Sequence, residues 1–224
     1  MKPAGFRRPR YLRARAPEKK TERRDAILDV AELRVQVQPY AEIPMSDIAR
    51  RLGLTKGTLY LYFATKEALF LAVMRRAFER FFARLEEALG DGRSTRARVQ
   101  DALLGALEAT PALRHLASVL HTVLEHNVGD AEVRAFKHFL REGVTRVGAR
   151  IDHALRWPPG SGAQLLVRFH VLLIGLHHVS TPSRAVARVL ADDALALFRI
   201  DFAQQLAELL PLVMQPIHPE DSDV

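Results

Sequence analysis

The sequence predicts an all-α chain: an N-terminal three-helix helix-turn-helix domain followed by a C-terminal helical domain, about nine helices in all. Three observations carry this. Apolar residues recur at three- and four-residue spacing along most of the chain, and no alternating strand pattern or internal repeat appears. Caps and breakers at Thr65, Gly90-Asp91-Gly92, Thr110-Pro111, Gly129-Asp130 and Trp157-Pro158-Pro159-Gly160 cut the chain into helix-length pieces. The stretch Met45–Phe70 holds two short helical patterns around a tight turn, then a third helix start.

Residues 1–17 carry three prolines, one glycine and six basic residues with little periodicity, and read as a basic flexible arm. Glu18–Val37 reads as the first helix, with Ile27, Val30, Ala31 and Leu33 inward. Pro44 suits the first turn of the second helix, whose inner face is Ile48, Ala49 and Leu52. Gly53 can take the left-handed backbone that ends a helix, and Leu54 plugs the turn. Thr55 caps the third helix, which ends near Phe63; Leu59 and Phe63 face back to the core. Thr65 caps a long fourth helix, Lys66–Leu89, with Glu67 near its positive end.

The remaining helices are expected at 95–109, 111–127, 131–156, 163–179, a short piece at 182–191, and a final helix at 194–210. The domains so drawn are the arm (1–17), a helix-turn-helix domain (18–68), a C-terminal domain (69–214) and a polar tail (215–224).

Composition excludes several classes. With 224 residues, 48% of them apolar, the chain can hold a sizeable core and is not disordered as a whole. It has no cysteine, which removes disulfides, thiolate catalysis and cysteine–zinc sites. The longest apolar run, Leu165–Val179, is broken by Arg168, His170, His177 and His178, so no membrane span is expected; the basic N-terminus has no apolar stretch after it, so no secretory signal is expected; and the lack of cysteine fits the expected cytoplasmic location. Charge is unevenly placed. Residues 1–24 hold ten Lys/Arg against Glu18 and Glu22, a net +8, whereas the whole chain is +7. An acidic partner is therefore sought by the N-terminal end, and phosphate contacts there would weaken steeply with salt.

The outward face of the third helix is Lys56, Gly57, Thr58, Tyr60, Leu61 and Tyr62, with a residue at Gly57 small enough for close approach to a duplex. Thr55 and Thr58 can donate hydroxyl hydrogen bonds to phosphate or base edges, and Lys56 can reach a guanine edge. Tyr60 offers a phenol to phosphate and a ring to a thymine methyl; Leu61 offers an apolar contact. Lys66 joins its ammonium to a positive helix end. Double-stranded DNA is the expected partner.

The run KGTLYLYF followed by TKEALF resembles the signature of the TetR family of bacterial transcriptional regulators, over roughly 24–70. In that family the positions matching Lys56, Gly57, Thr58, Tyr60, Leu61, Tyr62 and Lys66 form or flank the DNA surface, and the position near Ser46 contacts backbone. The resemblance implies a homodimer held by a four-helix bundle, and repression of a palindromic operator relieved by a small-molecule effector. Activation by the same fold is the alternative. The chain departs from the family pattern at Arg34-Val35, Pro39 and Ile43-Pro44, where a Leu-Phe pair, a glycine and a Thr or Ser are usual. Pro39 cannot adopt the left-handed cap, so the first helix ends near Val37 or the turn takes another path.

The C-terminal half carries two further expectations. Leu165, Leu166, Phe169, Leu172, Leu173 and Leu176, with Leu195, Phe198, Phe202, Leu206, Leu209 and Leu210, cover more than one helical stripe, so a second copy is expected to cover one of them, through 163–179 and 194–210. His121, Glu125, Phe139, Phe169, His170 and His177 are the candidate effector contacts; His121 and Glu125 share a face. Imidazole and carboxylate there also fit a metal, but the spacing is not diagnostic, and neither a metal nor a cofactor is expected. No nucleophile elbow, phosphate loop or paired catalytic carboxylates occur at a recognisable spacing, so the chain is not read as an enzyme. A membrane- or partner-binding role for the arm would be electrostatic only, since Phe6, Tyr11 and Leu12 are its few insertable residues.

Overall fold

A computed structural model of the chain describes residues 10–216, with side chains from residue 18. These residues form ten α-helices and no strand. A head is built from α1 (Arg10–Val37), α2 (Met45–Arg51), α3 (Lys56–Tyr60) and the start of α4 (Lys66–Leu89). The body adds α5 (Arg96–Glu108), α6 (Pro111–Val119), α7 (Asp130–Leu155), α8 (Ser161–Ser180), α9 (Arg184–Val189) and α10 (Phe202–Val213). The core is continuous from Ile27 and Ile48 in the head, through Phe70, Met74 and Phe82 on α4, to Leu165 and Phe169 on α8.

The first helix starts earlier than its apolar pattern. Its backbone is helical from Arg10, so the second half of the expected arm belongs to α1, while residues 1–9 lie outside the described residues. Ile27, Leu28, Ala31 and Val35 face inward; Leu33, expected there, is exposed because it falls on the opposite side of the 3.6-residue repeat. The helix ends at Val37, and Pro39 (φ −57°, ψ 144°) opens a short 3-10 turn, Tyr40–Glu42. Extended backbone at a proline thus replaces the left-handed glycine cap. Pro44 stands at the N-cap of α2, one residue before the helix, and Ile43 is buried in the core.

Three body elements differ from the sequence expectation. The helix expected over 111–127 is regular only to Val119; it widens into a π turn, Leu120–Leu124, and closes with a 3-10 turn, Glu125–Asn127. No glycine or proline marks that widening, so periodicity alone gives one helix. The helix expected over 194–210 is split. Asp192 caps a 3-10 segment, Asp193–Phe198, through the Ala194 amide (2.9 Å), and Asp201 caps α10 through the Gln204 amide (2.7 Å). Arg199, extended between them, donates to the carbonyls of Leu190 (2.8 Å) and Asp192 (2.9 Å). From Thr181 to Ile200 no residue is buried. The third difference is α8: at 20 residues it is long and apolar enough, by length and composition, to cross a membrane, since it extends past the apolar run at both ends. One of its faces, with Leu165, Phe169 and Leu173, is nevertheless packed in the protein core.

Helices α7 and α8 approach closely where Gly148 meets Gly162. A Cβ on Gly162 would lie 2.2 Å from the Gly148 carbonyl oxygen, a backbone atom that cannot swing aside. Asp152 fastens the same corner: its carboxylate accepts from the amides of Gly160 (2.8 Å) and Gly162 (2.6 Å) at the start of α8. Gly162→Ala is expected to cost about 2–3 kcal/mol through forced separation of the two helices. Chemical denaturation checks this, and an unchanged midpoint would show that the crossing yields.

Candidate DNA interface and effector cavity

The head presents α3 on a short, well-capped scaffold. Gly53 takes φ 64°, and the Leu54 amide donates to the Ala49 carbonyl (2.9 Å), which closes the turn between α2 and α3. Thr55 Oγ1 accepts from the Thr58 amide (3.1 Å) and is 2.8 Å from the Thr58 hydroxyl. Leu59 and Phe63 are buried, as their spacing predicts. On the outer side Lys56, Gly57, Tyr60 and Leu61 are exposed, Leu61 at 82%. Lys56 Nζ stands 5.8 Å from the Tyr60 ring centroid. Ser46 is exposed at the start of α2. A Cβ on Gly57 would meet only Thr55 Oγ1 at 3.9 Å, so nothing in the head itself requires glycine there.

Two expected contacts are less available. Tyr62 is half-buried and packs against the core. Lys66 Nζ already donates to the Tyr40 carbonyl (2.6 Å) and lies 4.0 Å from the Tyr40 ring centroid, where burial lowers the pKa of its ammonium. The Tyr40 hydroxyl donates to Glu67 (2.7 Å); burial and that carboxylate push the phenol pKa upward. Lys66, Tyr40 and Glu67 thus clamp the 3-10 turn onto α4.

The residues that position α2 escaped the sequence reading. Asp47, buried, accepts from Arg50 and from Arg51 (3.2 Å), and lies 2.9 Å from Arg34 Nε. Those hydrogen bonds hold its carboxyl below the usual carboxylate range. Between head and body, Glu32 is buried on α1 against Arg80 and Arg76 (2.9 Å), and Arg76 also reaches Asp29 (2.7 Å). Arg50 and Arg51 stand at helical i+3 and i+4 spacing from Asp47, a local signal the reading passed over, whereas Arg34 and the whole Glu32 cluster are brought together only by the tertiary fold.

In the body, a cavity of about 360 Å³ lies between α4, the end of the α6 region, α7 and α8. Phe78, Phe81, Phe82 and Phe169 form its aromatic wall, with the Phe81 and Phe169 rings stacked at 5.9 Å. A polar chain runs along one side. Lys137 Nζ pairs with Glu125 Oε1 (2.7 Å), Glu125 Oε2 lies 3.2 Å from His121 Nδ1, and His121 Nε2 lies 3.3 Å from His170 Nε2. Burial first, then the charges of His121 and Lys137, lowers the His170 pKa to about 4.

Four of the six expected effector contacts, His121, Glu125, Phe169 and His170, therefore come together. Phe139 does not line the cavity; it packs beside Phe82 and Phe136 with Arg75 over its ring. His177 shares the His170 face of α8 but stands two turns, about 10 Å, further along the helix, beyond the end of the cavity. There it meets His115 (ring centroids 5.7 Å apart) in a crevice of about 740 Å³ between α6, α8 and the 3-10 turn of the head. Burial first, then His115, lowers the His177 pKa to about 4. Among the described residues no group of three or more His, Asp or Glu is arranged to hold a metal ion.

A capped helix-turn-helix head on an all-helical body with an aromatic-walled cavity defines the class: a DNA-binding regulator. Comparison with known proteins makes the family explicit. The profile of bacterial regulatory proteins of the TetR family matches residues 27–73, and that of the tetracyclin repressor-like C-terminal domain matches residues 75–216. The chain belongs to the TetR family of transcriptional regulators.

Among curated relatives, the nucleoid occlusion factor SlmA of Marinobacter nauticus is 29% identical over 153 residues, covering 58% of this chain and 73% of that protein. The transcriptional regulator EthR of Mycolicibacterium smegmatis is 35% identical over 68 residues, covering 30% of this chain and 31% of its own length. Among solved structures, the multidrug binding protein EbrR complexed with imidazole superposes with a TM-score of 0.55 at 19% identity, covering 89% of this chain and 98% of that one. A transcriptional regulator from Streptomyces coelicolor, SCO7518, gives 0.51 at 18% identity over 87% and 99%. These structures share the fold.

Proposed function

We propose that the chain is a homodimeric repressor that holds a two-fold related operator and leaves it when a small molecule fills the body. It acts in the cytoplasm, where such an operator lies. The observation that carries the reading is the outer surface of α3: Lys56, Gly57, Tyr60 and Leu61 stand exposed on a helix whose inner residues are locked in the core. Lys56 and Tyr60 suit phosphate and base edges, and Gly57 leaves room for the duplex to approach. Thr55 and Thr58 share their hydroxyls with each other and keep remaining acceptor and donor capacity at the same edge. Ser46 adds a backbone contact at the start of α2. Tyr62 and Lys66 flank the surface and act mainly by holding it. A curated relative that is 24% identical over 111 residues, KstR2 of Rhodococcus jostii, is named a transcriptional repressor, which supports that sign of regulation.

The dimer is proposed through the exposed side of α8 and through α10. Val167 and Val171, one turn apart on α8, and Leu212 on α10 (66% exposed) form an apolar surface that a second copy covers. The excursion over 181–200, with Leu197 83% exposed, extends it.

A mobility-shift titration with DNA flanking the gene tests the reading. Tyr60→Ala and Gly57→Leu are each expected to lower affinity by roughly tenfold or more while thermal unfolding stays within about 1 kcal/mol of the parent. Unchanged binding by both variants would remove α3 as the reading helix.

A further inference from the structure

We infer that the body cavity takes an amphipathic anion: an apolar body against the four phenyl rings and a single carboxylate-like head at the His170–Arg141 end. The inference rests on the regulatory reading above and names its ligand class.

Shape and chemistry divide the cavity into two parts. The wall of Phe78, Phe81, Phe82 and Phe169 offers no hydrogen bonds, so the body of the ligand is apolar. The polar lining groups are few: His121, Lys137, Arg141 and His170. Arg141 and Lys137, one turn apart on α7, both border the cavity. Lys137 is neutralised by Glu125, whereas Arg141 makes no ion pair with a carboxylate among the described residues. The head region therefore carries a net positive charge, which favours an anion over a neutral or cationic group.

The imidazole pair supplies the second observation. His170 Nδ1 is buried and has no hydrogen-bonding partner among the described residues. An unmet polar atom of this kind is costly unless a ligand satisfies it. Glu125 accepts only, so His121 Nδ1 carries a proton toward it. When His121 is neutral, His170 Nε2–H donates to His121 and His170 Nδ1 keeps a lone pair. When the pair takes up one proton, His121 donates to His170 Nε2 and His170 Nδ1 carries the proton. An anionic head selects that second state, with one proton taken from solvent. Burial, then the charges of His121 and Lys137, hold the His170 pKa low, and an anionic head beside the ring would act in the opposite direction.

Three probes of equal chain length separate the classes: decanoate, decan-1-ol and decylammonium, each below its micelle concentration, titrated into the full chain by calorimetry. Decanoate is expected to bind at least about tenfold more tightly than the other two, with uptake of about one proton read from two buffers of different ionisation enthalpy. Arg141→Gln, a surface change, is expected to bring decanoate down to the level of decan-1-ol. Equal or tighter binding of the alcohol or the ammonium, no binding of any probe, or an Arg141→Gln variant unchanged toward decanoate would each overturn the assignment. A parallel mobility shift separates this from the regulatory reading. Decanoate bound without release of DNA upholds the ligand class and sinks the regulation; release by decan-1-ol or decylammonium in preference to decanoate does the reverse.

Discussion

Val167→Glu combined with Val171→Glu is expected to give a chain that sediments as a single copy and loses at least about a hundredfold in operator affinity. The two valines are 55% and 62% exposed on α8, Val171 on the side turned away from Leu165, Phe169 and Leu173 and Val167 at the rim of the body cavity. Packed against a second copy, their glutamate replacements would bring four carboxylates into one apolar seam. Burying unpaired carboxylates costs several kcal/mol each, well beyond what such a seam returns. In the separated chain the same glutamates point to water, so helicity by circular dichroism should hold. Affinity falls because a half-site bound by one head lacks the effective concentration that tethering a second head supplies. A variant that still sediments as a dimer would place the contact elsewhere on the body.

Glu32→Ala is expected to lower stability by about 2–3 kcal/mol, a fall of roughly 5–10 °C in Tm. The carboxylate is buried at the join of head and body, and its removal leaves the Arg76 and Arg80 guanidiniums facing each other without their shared acceptor. Arg76 keeps Asp29, and Arg80 is partly exposed, so the loss stays below that of a fully buried pair. Glu32→Gln retains two acceptor lone pairs and should recover part of the difference. Differential scanning calorimetry on both variants decides it; equal Tm values for alanine and parent would make the cluster ornamental to folding.

The head was legible because its chemistry is local. Gly53, Thr55, Leu59 and Phe63 lie within eleven residues, and each acts through a backbone angle, a cap or a helical period that sequence displays directly. The expected end of α1 near Val37 followed in the same way from Pro39. The body was legible as helices but not as a site. His121 and His170 stand 49 residues apart and meet through a π turn that no breaker announces. His177 shares a helix with His170 yet serves another crevice, because heptad spacing on a helix this short does not settle which neighbour each residue meets. The final helix was misjudged for an opposite reason. Its apolar content runs through 194–210, and only the small carboxylate caps at Asp192 and Asp201, readable in hindsight, divide it. The Glu32 cluster has no sequence signal, since Arg76 and Arg80 are more than forty residues away from it, and the i+3 and i+4 pairing of Asp47 with Arg50 and Arg51 gives no hint of Arg34 as the third partner.

The cavity has unequal walls. On one flank, α7 and α8 touch backbone to backbone at Gly148 and Gly162 and are stitched by Asp152, so that flank is stiff. On the other, the helix that begins at Pro111 loses its regular ladder at Leu120 and is the compliant member. In the proposed release, a guest that swells the space would push the soft side outward. The near end of that same helix, at Arg114 and His115, borders the crevice whose far rim is Gln38, Pro39 and Tyr40. That crevice is where movement of the body in such a release would meet the 3-10 turn of the head, one layer behind the surface that would grip a duplex.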